Sequence, residues 1–76
     1  MDNQFSVAQF FKSGEWEYVR RFVNAEEAWD AFQHYTTSVA VGMGLVERVI
    51  ITDGGDCINA EWIHGKGIVF PYPLEG

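Results

Sequence analysis

Cysteine occurs once in this chain, at Cys57, and proline twice, at Pro71 and Pro73. A single thiol excludes an intramolecular disulfide framework and is compatible with a reducing cytoplasm. Both prolines fall near the C-terminal end, where they exclude a regular central strand and predict an extended arm over residues 70–76. Positive charge is scarce as well. Five Lys and Arg stand against eleven Asp and Glu, giving a net charge of −6 and a pI near 4.6. That balance repels nucleic acid and anionic membrane at long range, and favours partners with a neutral or basic surface. No block of like charge exceeds two residues, so there is no acidic tail. Long apolar runs are missing too. The longest stretch without Asp, Glu, Lys or Arg runs from Ala31 to Val46, contains His34 and three consecutive hydroxyl residues, and is too short to cross a bilayer. The opening MDNQFSVAQFF places an acid after Met1 and lacks the basic region of a signal peptide. The expectation is a soluble, cytoplasmic protein that binds neither nucleic acid nor membrane.

What the chain does have is apolar surface. Of its 76 residues 47% are hydrophobic and 16% aromatic, including six Phe, three Trp and three Tyr. A domain of this length buries only about 60–65% of its unfolded surface. Residues 1–76 form one small domain, and part of its apolar load is expected to stay outside the core. Contiguous exposed patches of that kind mark interfaces.

The order of elements reads as hairpin, helix, hairpin. Residues 4–11 and 16–23 are rich in Phe, Val, Trp and Tyr and flank the turn residues Ser13 and Gly14. Asn24 followed by Glu27 has capping-box spacing, and Ala28, Trp29, Phe32 and Tyr35 recur at helical intervals. Val39 and Met43 prolong that stripe to a close at Gly42 or Gly44, although Thr36, Thr37 and Ser38 weaken the helix by propensity. The β-branched runs around Asp53-Gly54-Gly55-Asp56 then form a second hairpin. Pairing Ile51 with Ile58 and Val49 with Ala60 sets Arg48 opposite Glu61. The fold expected is α+β, β-β-α-β-β, a four-stranded antiparallel sheet in the order 2-1-3-4 with one helix packed on one face.

Several residue groups invite a chemical reading, and each has a plainer one. Asp53 and Asp56 lack the alternating oxygen ligands and distal Glu of a calcium loop, and a strand rather than a helix follows the glycines; they read as a turn. Glu27, Asp30 and His34 share a helix face that is simply the polar side of an amphipathic helix. His34, His64 and Cys57 offer a nucleophile and bases, but no helix N-terminus or basic neighbour stands beside the thiol to activate it. Glu17 and Glu61 are two sheet carboxylates that no spacing brings together. Arg20 and Arg21 among aromatics resemble a base-stacking platform, yet consecutive strand residues point to opposite faces. Glu15, Glu17, Glu26, Glu27 and Asp30 are close enough in sequence to mimic a nucleic acid, or to serve only as solubilising charge. No catalytic residue, cofactor site or metal site is therefore expected.

The sharper expectation concerns association. With a two-residue Ser13-Gly14 turn, the first hairpin places Phe5, Phe11, Trp16, Tyr18 and Phe22 on one face, while the reverse side is also apolar. One helix covers only one face of a sheet. The chain is thus expected to act as a small non-enzymatic interaction or regulatory protein, as a homodimer or as a small subunit on another protein. The alternative is a small-ligand binder with an apolar pocket between helix and sheet lined by Trp29, Tyr35, Trp62 and Phe70.

Overall fold

The turn after the first strand decides which side chains of the first hairpin share a face. The computed structural model describes residues 3–54 and 57–70, and of Ala40 the backbone alone. Strand β1 (Phe5–Phe11) and strand β2 (Trp16–Val23) are joined by Lys12-Ser13-Gly14. The Phe11 N–H donates to the Glu15 carbonyl at 2.8 Å, and the Gly14 N–H donates back to the Phe11 carbonyl at 2.9 Å. Gly14 has φ +97°, which an L side chain adopts only with strain. This is a three-residue hairpin loop closed by a left-handed glycine, not the two-residue turn expected. The difference of one residue matters, because strand side chains alternate faces. Trp16 pairs with Phe10, Glu17 with Gln9 and Tyr18 with Ala8. Trp16 and Tyr18 therefore leave the face of Phe5, Val7 and Phe11. Two further register shifts pair Val7 with Arg20 and Phe5 with Val23, so Val19 and Val23 return to the core side.

Helix α1 (Ala25–Thr36) begins as its sequence predicts. Asn24 Oδ1 accepts from the Glu27 N–H at 2.8 Å, and Glu27 Oε1 accepts from the Asn24 N–H at 3.1 Å. Both donors would otherwise be orphaned at the helix start. The helix ends earlier than the apolar stripe implies. Thr36 and Thr37 hydroxyls both donate to the Gln33 carbonyl, at 3.1 and 2.9 Å. Ser38 then caps a separate short helix, α2 (Val39–Gly42), by accepting from the Val41 N–H. Hydroxyl side chains that bond locally to the backbone have ended one helix and started another. In consequence Val39 and Met43 stand exposed instead of extending the core stripe.

Strand β3 (Val46–Thr52) pairs with β1 on one side and with β4 (Ile58–Ile63) on the other. Val49 pairs with Trp62, Ile50 with Glu61 and Ile51 with Ala60. That is two residues away from the expected pairing, and an even shift keeps those side chains on their expected faces. Arg48 and Glu61 become diagonal neighbours, still joined by Nε–Oε2 at 2.6 Å. A fifth strand, β5 (Gly67–Phe70), pairs with β4 and was not expected. It is a short edge strand ending immediately before Pro71, and the residues expected as an arm beyond Phe70 lie outside the described residues.

The architecture is α+β: one five-stranded antiparallel sheet, order β2-β1-β3-β4-β5, with α1 packed against β1 and β3. The core lies between them. Val7, Phe32, Val46 and Val49 are fully buried, surrounded by Ala28, Ala31, Ile51 and Ala60. The helix alanines let its backbone approach the sheet while Phe32 fills the space between. The Cα trace measures 36 by 33 by 18 Å, the thin axis being that of one helix layer on one sheet.

Candidate functional site

The face of the sheet opposite α1 has no layer over it among the described residues. Strand register arranges its side chains in rows. One row runs Tyr18, Ala8, Ile50, Glu61 and Phe70; the next runs Trp16, Phe10, Arg48 and Ile63. Ala8 and Ile50 are buried by their neighbours, whereas Trp16 is 53% and Tyr18 42% exposed. Phe70, 40% exposed, ends the first row at the far edge.

The aromatic side of this face is internally organised. The Phe10 and Trp16 rings stack at 5.8 Å, and the Tyr18 ring meets Trp16 edge-on at 5.1 Å. Both contacts fall within the favoured range for aromatic pairs. Two guanidinium groups lie on the rings: Arg48 is 5.1 Å from the Phe10 centroid, and Arg21 is 4.4 Å from Tyr18 and 4.9 Å from Phe22. Phe22 is 63% exposed and has φ +59°, a left-handed conformation that is strained for a bulky residue. Its N–H donates to Ser6 Oγ at 3.4 Å across the second register shift. The Arg48–Glu61 ion pair sits near the middle of the face.

The expected interface residues are divided by the sheet. Phe5 and Phe11 pack against the core on the helix side. Trp16, Tyr18 and Phe22 are exposed, with Trp16 and Tyr18 on the open face. The face also contains Phe10, Arg21, Arg48, Ile63 and Phe70, which that grouping omits. The signal that would have placed Phe10 beside Trp16 and Tyr18 was Gly14 as the third residue of its loop; Arg21 joins them only through the register shift at Val19. A strand of parity opposite to the one assumed follows from that loop.

The four residues expected around a pocket are not brought together either. Trp29 lines a cleft of about 280 Å³ with Phe5, Ala28, Ile51 and Ala60. Tyr35 lies beneath Arg20, 5.8 Å from its guanidinium. Trp62 packs on the core and meets His64 edge-on, and Phe70 belongs to the opposite side of the sheet.

Other candidate groups have structural surroundings. Asp53 Oδ1 accepts from the Cys57 N–H at 3.2 Å, and the Asp53 N–H donates to the Cys57 carbonyl, so this carboxylate closes the β3–β4 turn. Asp56 lies outside the described residues. Glu27, Asp30 and His34 line a shallow cleft beside Arg20. Exposed Cys57 and His64 lie at opposite ends of β4. Glu17 accepts from Gln9 at 2.7 Å, while Glu61, three strands along the sheet from Glu17, pairs with Arg48. Among the described residues no three His, Cys, Asp or Glu side chains gather as metal ligands, and no helix is long and apolar enough to cross a membrane. Comparison with known protein families, with curated proteins and with solved structures finds no match to this chain.

Proposed function

We propose that this chain is a non-enzymatic interaction protein that works through the open face of its sheet, as a homodimer. The observation that carries the reading is the exposed aromatic ladder of Trp16 and Tyr18 on Phe10, on the face that α1 leaves bare. Each large apolar side chain left in water forgoes roughly 1.5–3 kcal/mol of burial. That is a substantial fraction of the roughly 5–15 kcal/mol that stabilises a folded domain. A twofold contact covers the face of both copies at once and needs no other molecule. Sedimentation equilibrium at high micromolar concentration tests it. The expected mass is twice the 8.6 kDa of the protomer. A folded monomer there would leave a heterologous partner, with this chain as its small subunit, as the occupant of the face.

A second reading, a small-ligand site, is favoured by the apolar cleft at Trp29. Its volume of about 280 Å³ is at the lower margin of ligand pockets. Its walls of Ala28, Ile51 and Ala60 suit a small apolar molecule. Native mass spectrometry of the purified protein would reveal such a molecule as a mass increment, abolished by Ala25→Trp.

A further inference from the structure

Arg21 is held against two rings and has no carboxylate partner among the described residues. A guanidinium presented in this way keeps its planar N–H edge free for a carboxylate. If the open face is buried, an Arg21 without an acid becomes an uncompensated charge, which is strongly destabilising. We infer that two copies pack face to face about a twofold axis parallel to the strands, above the gap between β1 and β3, with Arg21 of each copy approaching the other copy's Glu61, a carboxylate whose Oε2 holds its own Arg48 and whose Oε1 is left for the second guanidinium. This rests on the homodimer reading above and specifies its geometry.

The strand order makes the argument. Such an axis carries β2 over β4 of the second copy and β1 over its β3, without changing height along the strands. In the first row, Tyr18 with its Arg21 then meets Glu61, and Ala8 meets Ile50. In the second, Trp16 meets Ile63 and Phe10 meets Arg48. Cation faces carboxylate, small faces large, and a ring faces a guanidinium. Two neighbouring axes parallel to the strands do worse. Above β3 the axis stacks Arg48 on Arg48, and above β1 it leaves β4 and its Glu61 uncovered. Four overlapping strands at about 4.8 Å spacing and seven residues at about 3.3 Å rise give roughly 440 Å² in projection per copy. Side-chain relief raises the total for both copies to about the 1,000 Å² a specific interface needs. The packed sheets lie about 10 Å apart, a gap that an arginine side chain spans.

The test is a charge exchange read by sedimentation equilibrium, with circular dichroism confirming the fold of each variant. Arg21→Glu and Glu61→Lys should each weaken the dimer roughly thirtyfold or more, as truncated interfacial charge pairs do. Their equimolar mixture should dimerise tightly again, because only the mixed pair has two attractive crossings. If Glu61→Lys does not fold, Arg21→Glu mixed with wild type decides: a mixed dimer of intermediate affinity supports the crossing. Arg21→Glu dimers as tight as wild type would overturn this arrangement and leave the face dimer intact. A monomeric wild type would overturn both.

Discussion

Both faces of the sheet carry apolar side chains, and their chemistry differs. The face under α1 is closed with aliphatic side chains, alanines and one phenyl ring: Val7, Val49, Ile51, Ala60 and Phe32 among them. The bare face is built from large rings interleaved with Arg21, Arg48 and Glu61. A core that forms once, during folding, gains from shapes that fill space in a single way. A surface that meets water before it meets a partner gains from rings that are stiff and amphipathic and from charges that find a match on docking. Hydrophobicity alone does not separate the covered face from the bare one here; the company each apolar residue keeps does.

Perturbations that act on one face and spare the other test that contrast. The largest effect is expected at Phe32, fully buried between helix and sheet. Phe32→Ala should cost about 3–5 kcal/mol in urea denaturation; a loss below about 1 kcal/mol would mean that the covered face is not the core. Tyr18→Glu should do the reverse, abolishing association in sedimentation while leaving the monomer's unfolding free energy within about 0.5 kcal/mol. Global unfolding of that variant would make the open face a second core. Gly14→Ala probes the loop that assigns side chains to faces, and strain at φ +97° should cost about 1–2 kcal/mol. Asn24→Ala removes half of the capping box and should lower stability by about 1 kcal/mol, with an unchanged urea midpoint counting against the cap. Smallest of all is Asp53→Asn. The amide oxygen can still accept from the Cys57 N–H, so a change under about 0.5 kcal/mol is expected, with no divalent-cation shift in melting temperature.

The features readable in the sequence are those encoded locally. Asn24 and Glu27 announce a helix start because both partners of the capping box lie within one turn. The strand order follows from two hairpins and the charge on β2, which suits an edge. Features that depend on parity were harder. A two-residue and a three-residue loop use the same Ser and Gly, yet they send Trp16 and Tyr18 to opposite faces. The break between α1 and α2 turned on hydroxyl groups bonding to carbonyls three and four residues back, a competition that propensity registers only weakly. Strand β5 is short and ends at Phe70, directly before Pro71, so it meets the arm expected over residues 70–76 at that one residue. The open face could not be assembled from the sequence for the same reason as β2. Its rows cross five strands, and each register shift moves a residue from one row to another.

The register shifts in β2 set a limit on growth. A straight, exposed edge strand is a template for another strand, and a protein with both a sticky face and a straight edge would polymerise in two directions. Here the edge is interrupted at Val19 and again before Val23, Arg20 occupies the Val19 carbonyl at 2.6 Å, and Phe22 turns the backbone out of the extended region. Strand addition is blocked along that border. For the dimer proposed above, backbone geometry thus closes the β2 border to a third copy, leaving the face as the surface of contact on that side.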